Sequence, residues 1–151
     1  MNIGFTGTRQ GMTEAQFEQV SNFLKNFISD SFTTLHHGQC IGSDCEAAEV
    51  AYELGFTIIA HPGYLPKNPS WKGSRGSFDK NHTTFPEKPF LVRDQDIVDA
   101  SEILIATPAQ KNEVLRSGTW ATIRYGEKSK PVIIIFPDGE CEVRGKSLCK
   151  K

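Results

Sequence analysis

An excess of charge of either sign is missing from this sequence: 17 Lys and Arg stand against 18 Asp and Glu, a formal net charge of −1. No global field therefore recruits nucleic acid or an acidic membrane, and any anion has to be held by local groups. Long hydrophobic runs are missing too. The longest apolar stretch lies within Pro131–Phe136, far short of the ~20 residues that cross a bilayer as a helix. Met1-Asn2-Ile3-Gly4-Phe5 runs straight into an apolar strand, without the basic region, apolar stretch and cleavage site of a signal peptide. A cytoplasmic location with no membrane partner is the expectation. Cys40, Cys45, Cys141 and Cys149 form no CxxC pair and have no His at zinc-finger spacing, which favours free thiols in a reducing compartment. His36 and His37 are adjacent in a strand, so their side chains leave opposite faces and do not pair on a metal. Neither a metal nor a cofactor is expected.

Present instead are 38% hydrophobic and 23% charged residues, the balance of an ordinary globular chain that buries a core without staples. Short β-branched runs alternate with helical patterns, the signature of βαβ units. Strands are expected at Asn2–Thr6, Phe32–His36, Phe56–Ala60, Glu102–Thr107 and Pro131–Phe136. Thr13 with Gln16 forms a capping box opening a helix, whose inner face is read as Phe17, Val20, Phe23, Leu24 and Phe27. A second helix starts near Ser43 or Asp44, turns Ala47, Ala48, Ala51 and Leu54 inward and stops at Gly55. Further helices are expected at Val92–Ala100 and from about Thr119 to Glu127. Between them lies a long irregular segment, about 62–91, and the end, 138–151, reads as a turn plus a loose tail. Residues 1–151 thus form one α/β domain, a single Rossmann-like three-layer unit with a mostly parallel five-stranded sheet. Ligands of such sheets sit at the C-terminal ends of the strands, so the loops after each strand are the candidates.

Four constellations lie there. Gly7-Thr8-Arg9 offers backbone amides, a hydroxyl and a guanidinium to a phosphate. Gly38 and Gly42 flank a bend that feeds a helix N-terminus. There Ser43 can bond a phosphate, and Asp44 can either cap the helix or take a ribose hydroxyl. Arg93 precedes Asp94 and Asp96 at the opening of a helix, where acids suit the dipole and an Arg does not, which marks Arg93 as the functional candidate. Ser117-Gly118-Thr119, after Arg116, again puts small donors at a helix start, and Trp120 is either core or a stacking surface for a base. The 62–91 loop interleaves Lys and Arg with Trp71, Phe78, Phe85 and Phe90, a pattern that suits stacking on a nucleotide or a single strand.

These pieces in this order resemble the SLOG superfamily, the Rossmann-like group that contains the Lonely Guy phosphoribohydrolases and the DNA-processing protein A fold. The likeness is to small bacterial or phage members with an Arg-Ser-Gly-Thr-Trp segment, and it spans about Asn2–Phe136. It implies that Gly7-Thr8-Arg9 and His37-Gly38 through Ser43-Asp44 are the two glycine loops. It also implies that Arg93 is the active-site arginine and that Ser117-Gly118-Thr119 precedes the catalytic position. The glutamates of the Lonely Guy enzymes beyond that Gly-Thr pair are absent, since Ala121 and Thr122 stand there. N-glycosidic hydrolysis needs a carboxylate, so its mechanism does not carry over; Asp44 and Asp96 are the catalytic candidates left, with Asp94 beside them.

The first expectation is therefore a domain that senses or sequesters a nucleotide-type phosphate ligand, with Trp71 and Trp120 as stacking candidates. A nucleotide N-glycosidic hydrolase is the alternative, and single-stranded DNA binding a weaker one that the near-zero charge disfavours. Relatives of this fold commonly pair across helices, so the resemblance admits a homo-oligomer.

Overall fold

The computed structural model describes residues 1–28 and 32–146. Its strands are β1 (Asn2–Gly7), β2 (Thr34–His37), β3 (Thr57–Ala60), β4 (Gly63–Tyr64), β5 (Thr83–Thr84), β6 (Lys88–Pro89), β7 (Ile103–Thr107), β8 (Pro131–Ile135) and β9 (Cys141–Gly145). The helices are α1 (Glu14–Lys25), α2 (Ser43–Glu53), α3 (Phe90–Ala100) and α4 (Gly118–Glu127). The α/β class expected from the sequence is what forms, with seven strands in the main sheet where five were expected. Their order is β5-β3-β2-β1-β7-β8-β9, parallel except for β9.

Alternation along the strands divides the core. Ile3 and Phe5 of β1 with Ile103 and Ile105 of β7 face α1 and α2, whereas Leu104 and Ala106 face α3 and α4. This is the three-layer packing that a sheet buried on both faces requires. α1 begins as read: the Thr13 hydroxyl accepts from the Gln16 amide, and the Gln16 side chain accepts from the Thr13 amide. Its inner face differs by one position. Phe17 is exposed and Gln16 is buried, because the Gln16 amide group donates to the carbonyls of Pro108 and Ile135 at 2.8 and 2.9 Å. On β1, Gly4 lies under α3, where a Cβ would come within 2.4 Å of Ser101 Oγ.

The end of the described chain differs more. Residues 138–140 make a tight turn, with Gly139 at φ +90° and the Glu140 amide on Asp138, and β9 then pairs antiparallel with β8. The expected loose tail is therefore an edge strand as far as Gly145, and residues 147–151, Cys149 among them, lie outside the described residues. β9 shows no apolar alternation because its two faces are mostly exposed. The backbone ladder holds it, and Arg144 lies over the Trp120 ring with ion pairs to Glu113, Glu127 and Glu142. The 62–91 segment is irregular apart from a small β4·β6 pair and β5, which adds to β3 at the other edge.

β1 is the topological switch point. The chain steps outward from β1 to β2, β3 and β5, then returns to lay β7 on the opposite side of β1. Loops diverge there and leave a crevice at the C-terminal strand ends.

Candidate functional site

That crevice is a cleft of about 380 Å³, lined by the loops after β1, β2 and β7 and the first half of α3. Gly7, Thr8, Arg9, Gly38, Asp44, Arg93, Ser117, Gly118 and Thr119 all border it. Other residues singled out from the sequence do not. Ser43 is fully buried, and its amide and hydroxyl both donate to the Thr8 carbonyl, at 3.1 and 2.7 Å. Gly42, at φ +82°, leaves room for the Arg9 carbonyl, which a Cβ would meet at 2.4 Å. Together they dock the N-terminus of α2 onto the first loop. Asp96 sits away from the cleft, paired with Lys88 at 2.7 Å. Trp71 packs over Gly73 in the long loop, and Trp120 is wholly buried in the α3–α4 core, where no base reaches it.

Arg93 is in the cleft wall but not at its surface. The residue is 5% exposed, and its Nη1 donates to the carbonyls of Gly38 and His61 at 2.6 and 3.1 Å. Its Nε donates to Asp94 at 2.7 Å, and its Nη2 donates to the Cys40 sulfur. α3 starts at Phe90, so Arg93 and Asp94 lie past its first turn rather than at its opening. Gly38 is glycine for the same reason: a Cβ there would come within 2.6 Å of Arg93 Nη1 and 2.9 Å of Asp44 Oδ2.

Asp44 faces back toward this centre and accepts from the Gly38 and Cys40 amides at 3.0 and 3.3 Å. Burial pushes its carboxyl up to about 6, against the opposing pull of Arg93. Asp94 is likewise raised by burial and opposed by Arg93. Thr122, one turn into α4, donates its hydroxyl to the Gly118 carbonyl at 2.8 Å. The Cys40 thiol is raised to about 11, chiefly by burial, and stays protonated at neutral pH.

The exposed cations of the cleft are Arg9 and Arg116. Neither has a carboxylate partner among the described residues; Arg9 lies over the Phe90 ring at 5.5 Å, on which Arg93 also stacks at 5.1 Å. Beside them is the start of α4. Ser117 caps the Trp120 amide, so the Gly118 and Thr119 amides are the ones without an intrahelical acceptor, and the space over Gly118 is open.

Arg116, Gln10 and Cys40 line the cleft without having been singled out as site residues, and Asp94, named beside the catalytic candidates, lines it too. Arg116 was legible as the cation ahead of Ser-Gly-Thr. Asp94 was read as a dipole-matching acid, and only the fold shows which way it faces. The loop expected to suit a single strand has its cations engaged: Lys72 and Arg75 on Glu87, Lys80 on Glu49, Lys88 on Asp96 and Arg93 on Asp94, leaving Lys67. Among the described residues no group of His, Cys, Asp and Glu has the arrangement of a metal site, and no helix is long and apolar enough to cross a membrane.

Solved structures share this Rossmann-like fold. Among solved structures the chain is similar to the molybdenum cofactor binding protein of the phototrophic bacterium Rippkaea orientalis, with 16% identity and TM-score 0.63 over 89% of this chain and 76% of that one. It is similar to the molybdenum cofactor carrier protein of Chlamydomonas reinhardtii at 20% identity and TM-score 0.60, over 88% and 74%. DNA processing protein A of Helicobacter pylori, described with a single-stranded DNA binding mode, matches at 19% and 0.61 over 89% of this chain and 64% of its own. At these identities the likeness establishes the fold. No family model and no curated protein matches the sequence.

Proposed function

We propose that the cleft binds a nucleotide-type ligand through its phosphate and that the domain works as a sensor or sequestering module. One observation carries this: at the switch point, the unpaired guanidiniums of Arg9 and Arg116 flank the open amides of Gly118 and Thr119 and the Gly7-Thr8 loop. Guanidinium pairing and helix-terminal amides are the two devices that recognise phosphate. Solved neighbours described as binding molybdenum cofactor or single-stranded DNA use the same fold, which supports a ligand site. Arg93 takes a different part from the one its position in the sequence suggested. It holds the cleft wall in shape and lends positive charge from beneath, while Arg9 and Arg116 make the contacts. The cytoplasm suits Cys40, Cys45 and Cys141, which are free thiols.

N-glycosidic hydrolysis is a second reading, favoured by Asp94. Its carboxylate lines the cleft, is held by Arg93 Nε at 2.7 Å, and is raised by burial, the direction that suits a proton-transferring group. Water would attack the sugar carbon as the base leaves with a proton.

One incubation separates the two. The protein is mixed with nucleoside mono-, di- and triphosphates, cyclic nucleotides, NAD and ADP-ribose, and both retained ligand and free base are followed. The expected result is an intact retained nucleotide whose affinity falls roughly tenfold or more in Arg9→Ala and in Arg116→Ala, the loss of a charged hydrogen bond each. Free base that disappears in Asp94→Asn would make the second reading the right one. No retention and no release across the panel would contradict both.

A further inference from the structure

Arg93 also borders a second cavity of about 380 Å³, lined by His61, Pro62, Phe85, Pro86, Lys88 and Asp96. Its size is that of a small-molecule site, and nothing in the nucleotide reading uses it. The polar feature that distinguishes it is the end of a hydrogen-bond chain. Asn2 donates its backbone amide and side-chain Nδ2 to Glu102, which turns Asn2 Oδ1 toward His36. That oxygen accepts from His36 Nε2–H at 3.0 Å, so the neutral ring has a bare Nδ1, which accepts from His61 Nε2–H, also at 3.0 Å. Neutral His61 is then left with a bare Nδ1. It has no hydrogen-bond partner among the described residues, although the residue is only 4% exposed, and it is not one of their buried unsatisfied atoms. The accessible acceptor therefore looks into the cavity that the residue lines. Burial lowers both rings to about 4, which keeps them in these neutral forms at neutral pH.

The remaining walls state the rest of the guest's chemistry. Phe85 stands edge-on to His61, with centroids 4.8 Å apart and planes at 80°. Pro62 and Pro86 add apolar surface, and the Lys88–Asp96 pair, half-exposed, neutralises its own charge at the side. An anionic guest would face the lone pair of His61 and the Asp96 carboxylate. A purely apolar one would leave the acceptor dry, which costs free energy. A donor on a flat apolar frame satisfies all of them. We propose that this cavity is a binding site for a flat nitrogen heteroaromatic ring that donates its ring N–H to His61 Nδ1 and packs against Phe85, Pro62 and Pro86. The proposal stands apart from the nucleotide reading, since it concerns a different cavity and different contacts.

The test uses benzimidazole and 1-methylbenzimidazole, which differ by the ring N–H, added to protein labelled uniformly with nitrogen-15, so that the histidine ring nitrogens and the backbone amides are both followed. Benzimidazole is expected to shift the His61 Nδ1 resonance saturably. Its methylated analogue is expected to bind roughly tenfold more weakly, the cost of leaving the acceptor unpaired. Phe85→Ala, a half-exposed position whose loss leaves the histidine chain in place, is expected to weaken benzimidazole as well. Equal affinity for the two compounds would overturn the proposal. So would a silent His61 resonance at millimolar benzimidazole, indifference to Phe85→Ala, or shifts confined to the Gly118 and Thr119 amides of the other cleft.

Discussion

Replacing Arg93 with alanine is expected to destabilise the protein by about 3–5 kcal/mol, the cost of stranding buried charge that has lost its partner. The guanidinium is the hub between the buried carboxyl of Asp44 and the partly buried one of Asp94, and it satisfies the carbonyls of Gly38 and His61. Alanine removes the main counter-charge from both acids and leaves two buried carbonyls short of a donor. The acids respond by taking up protons, so Asp44 rises further above its present value of about 6. Natural domains have about 5–15 kcal/mol in hand, so the variant stands near the edge of folding. Arg93→Lys keeps the charge but loses the fork that reaches several acceptors at once, and an intermediate loss is expected. Urea unfolding of the three proteins reads this directly; a change below about 1 kcal/mol for alanine would mean that the buried network is not formed in solution. A consequence for function is that lost ligand binding in Arg93→Ala would not identify a phosphate contact. Arg9 and Arg116, exposed at the same cleft, are the positions that do.

Acid is expected to destabilise the fold well before ordinary carboxylate titration. His36, His37 and His61 are each lowered from 6.5 to about 4, in every case chiefly by burial. Hydrogen bonding explains why they resist protonation. His37 donates Nε2–H to Asn81 and accepts the Gln39 amide on Nδ1, while His36 accepts on Nδ1 from His61. A second ring proton on His36 or His37 would break a bond. Between pH 6.5 and 4 the unfolded chain therefore binds protons that the native one refuses, so stability falls as pH falls. Asp44 acts in the opposite sense: its carboxyl, raised from 3.8 to about 6, lets the native state hold a proton that the unfolded state has released, and Asp94 is shifted the same way. Three histidines outweigh two acids. The net is roughly one proton or somewhat more, a loss of roughly 1–2 kcal/mol per pH unit through this window. Unfolding free energies at pH 7, 6 and 5 check the sign, and Asp44→Asn should steepen the decline by removing an opposing group. Stability that is flat or rises on acidification would contradict the neutral histidine network.

The parts of this structure that were legible from sequence are those settled by near neighbours. Thr13 with Gln16 opened α1, Gly55 at φ +87° stopped α2, and the β-branched runs marked the five central strands. Because those strands are parallel, their following loops had to share an edge, and most of the candidate loop residues border one cleft, Gly42 and Ser43 being turned instead to docking α2. What stayed hidden depends on distant contacts. β5 is two threonines and β9 a polar edge strand; both are held by backbone pairing, which leaves no apolar rhythm to read. Arg93 read as a free phosphate ligand, but its acceptors at Gly38 and His61 are 55 and 32 residues away in sequence. Trp120 shares helical spacing with Ile123, and its burial rests on Val132, Ile134 and the α3 residues across the layer.

Phosphate is expected to bind where the loops of β1 and β7 meet, and amide resonances test this most directly. Proton–nitrogen correlation spectra would be recorded with adenosine monophosphate and, separately, with inorganic phosphate. Saturable shifts at Gly7, Thr8, Gly118 and Thr119, weakened in Arg9→Ala and Arg116→Ala, are the expected result. Spectra unchanged at millimolar ligand, or shifts that avoid these four amides, would show that the cleft is not a phosphate site.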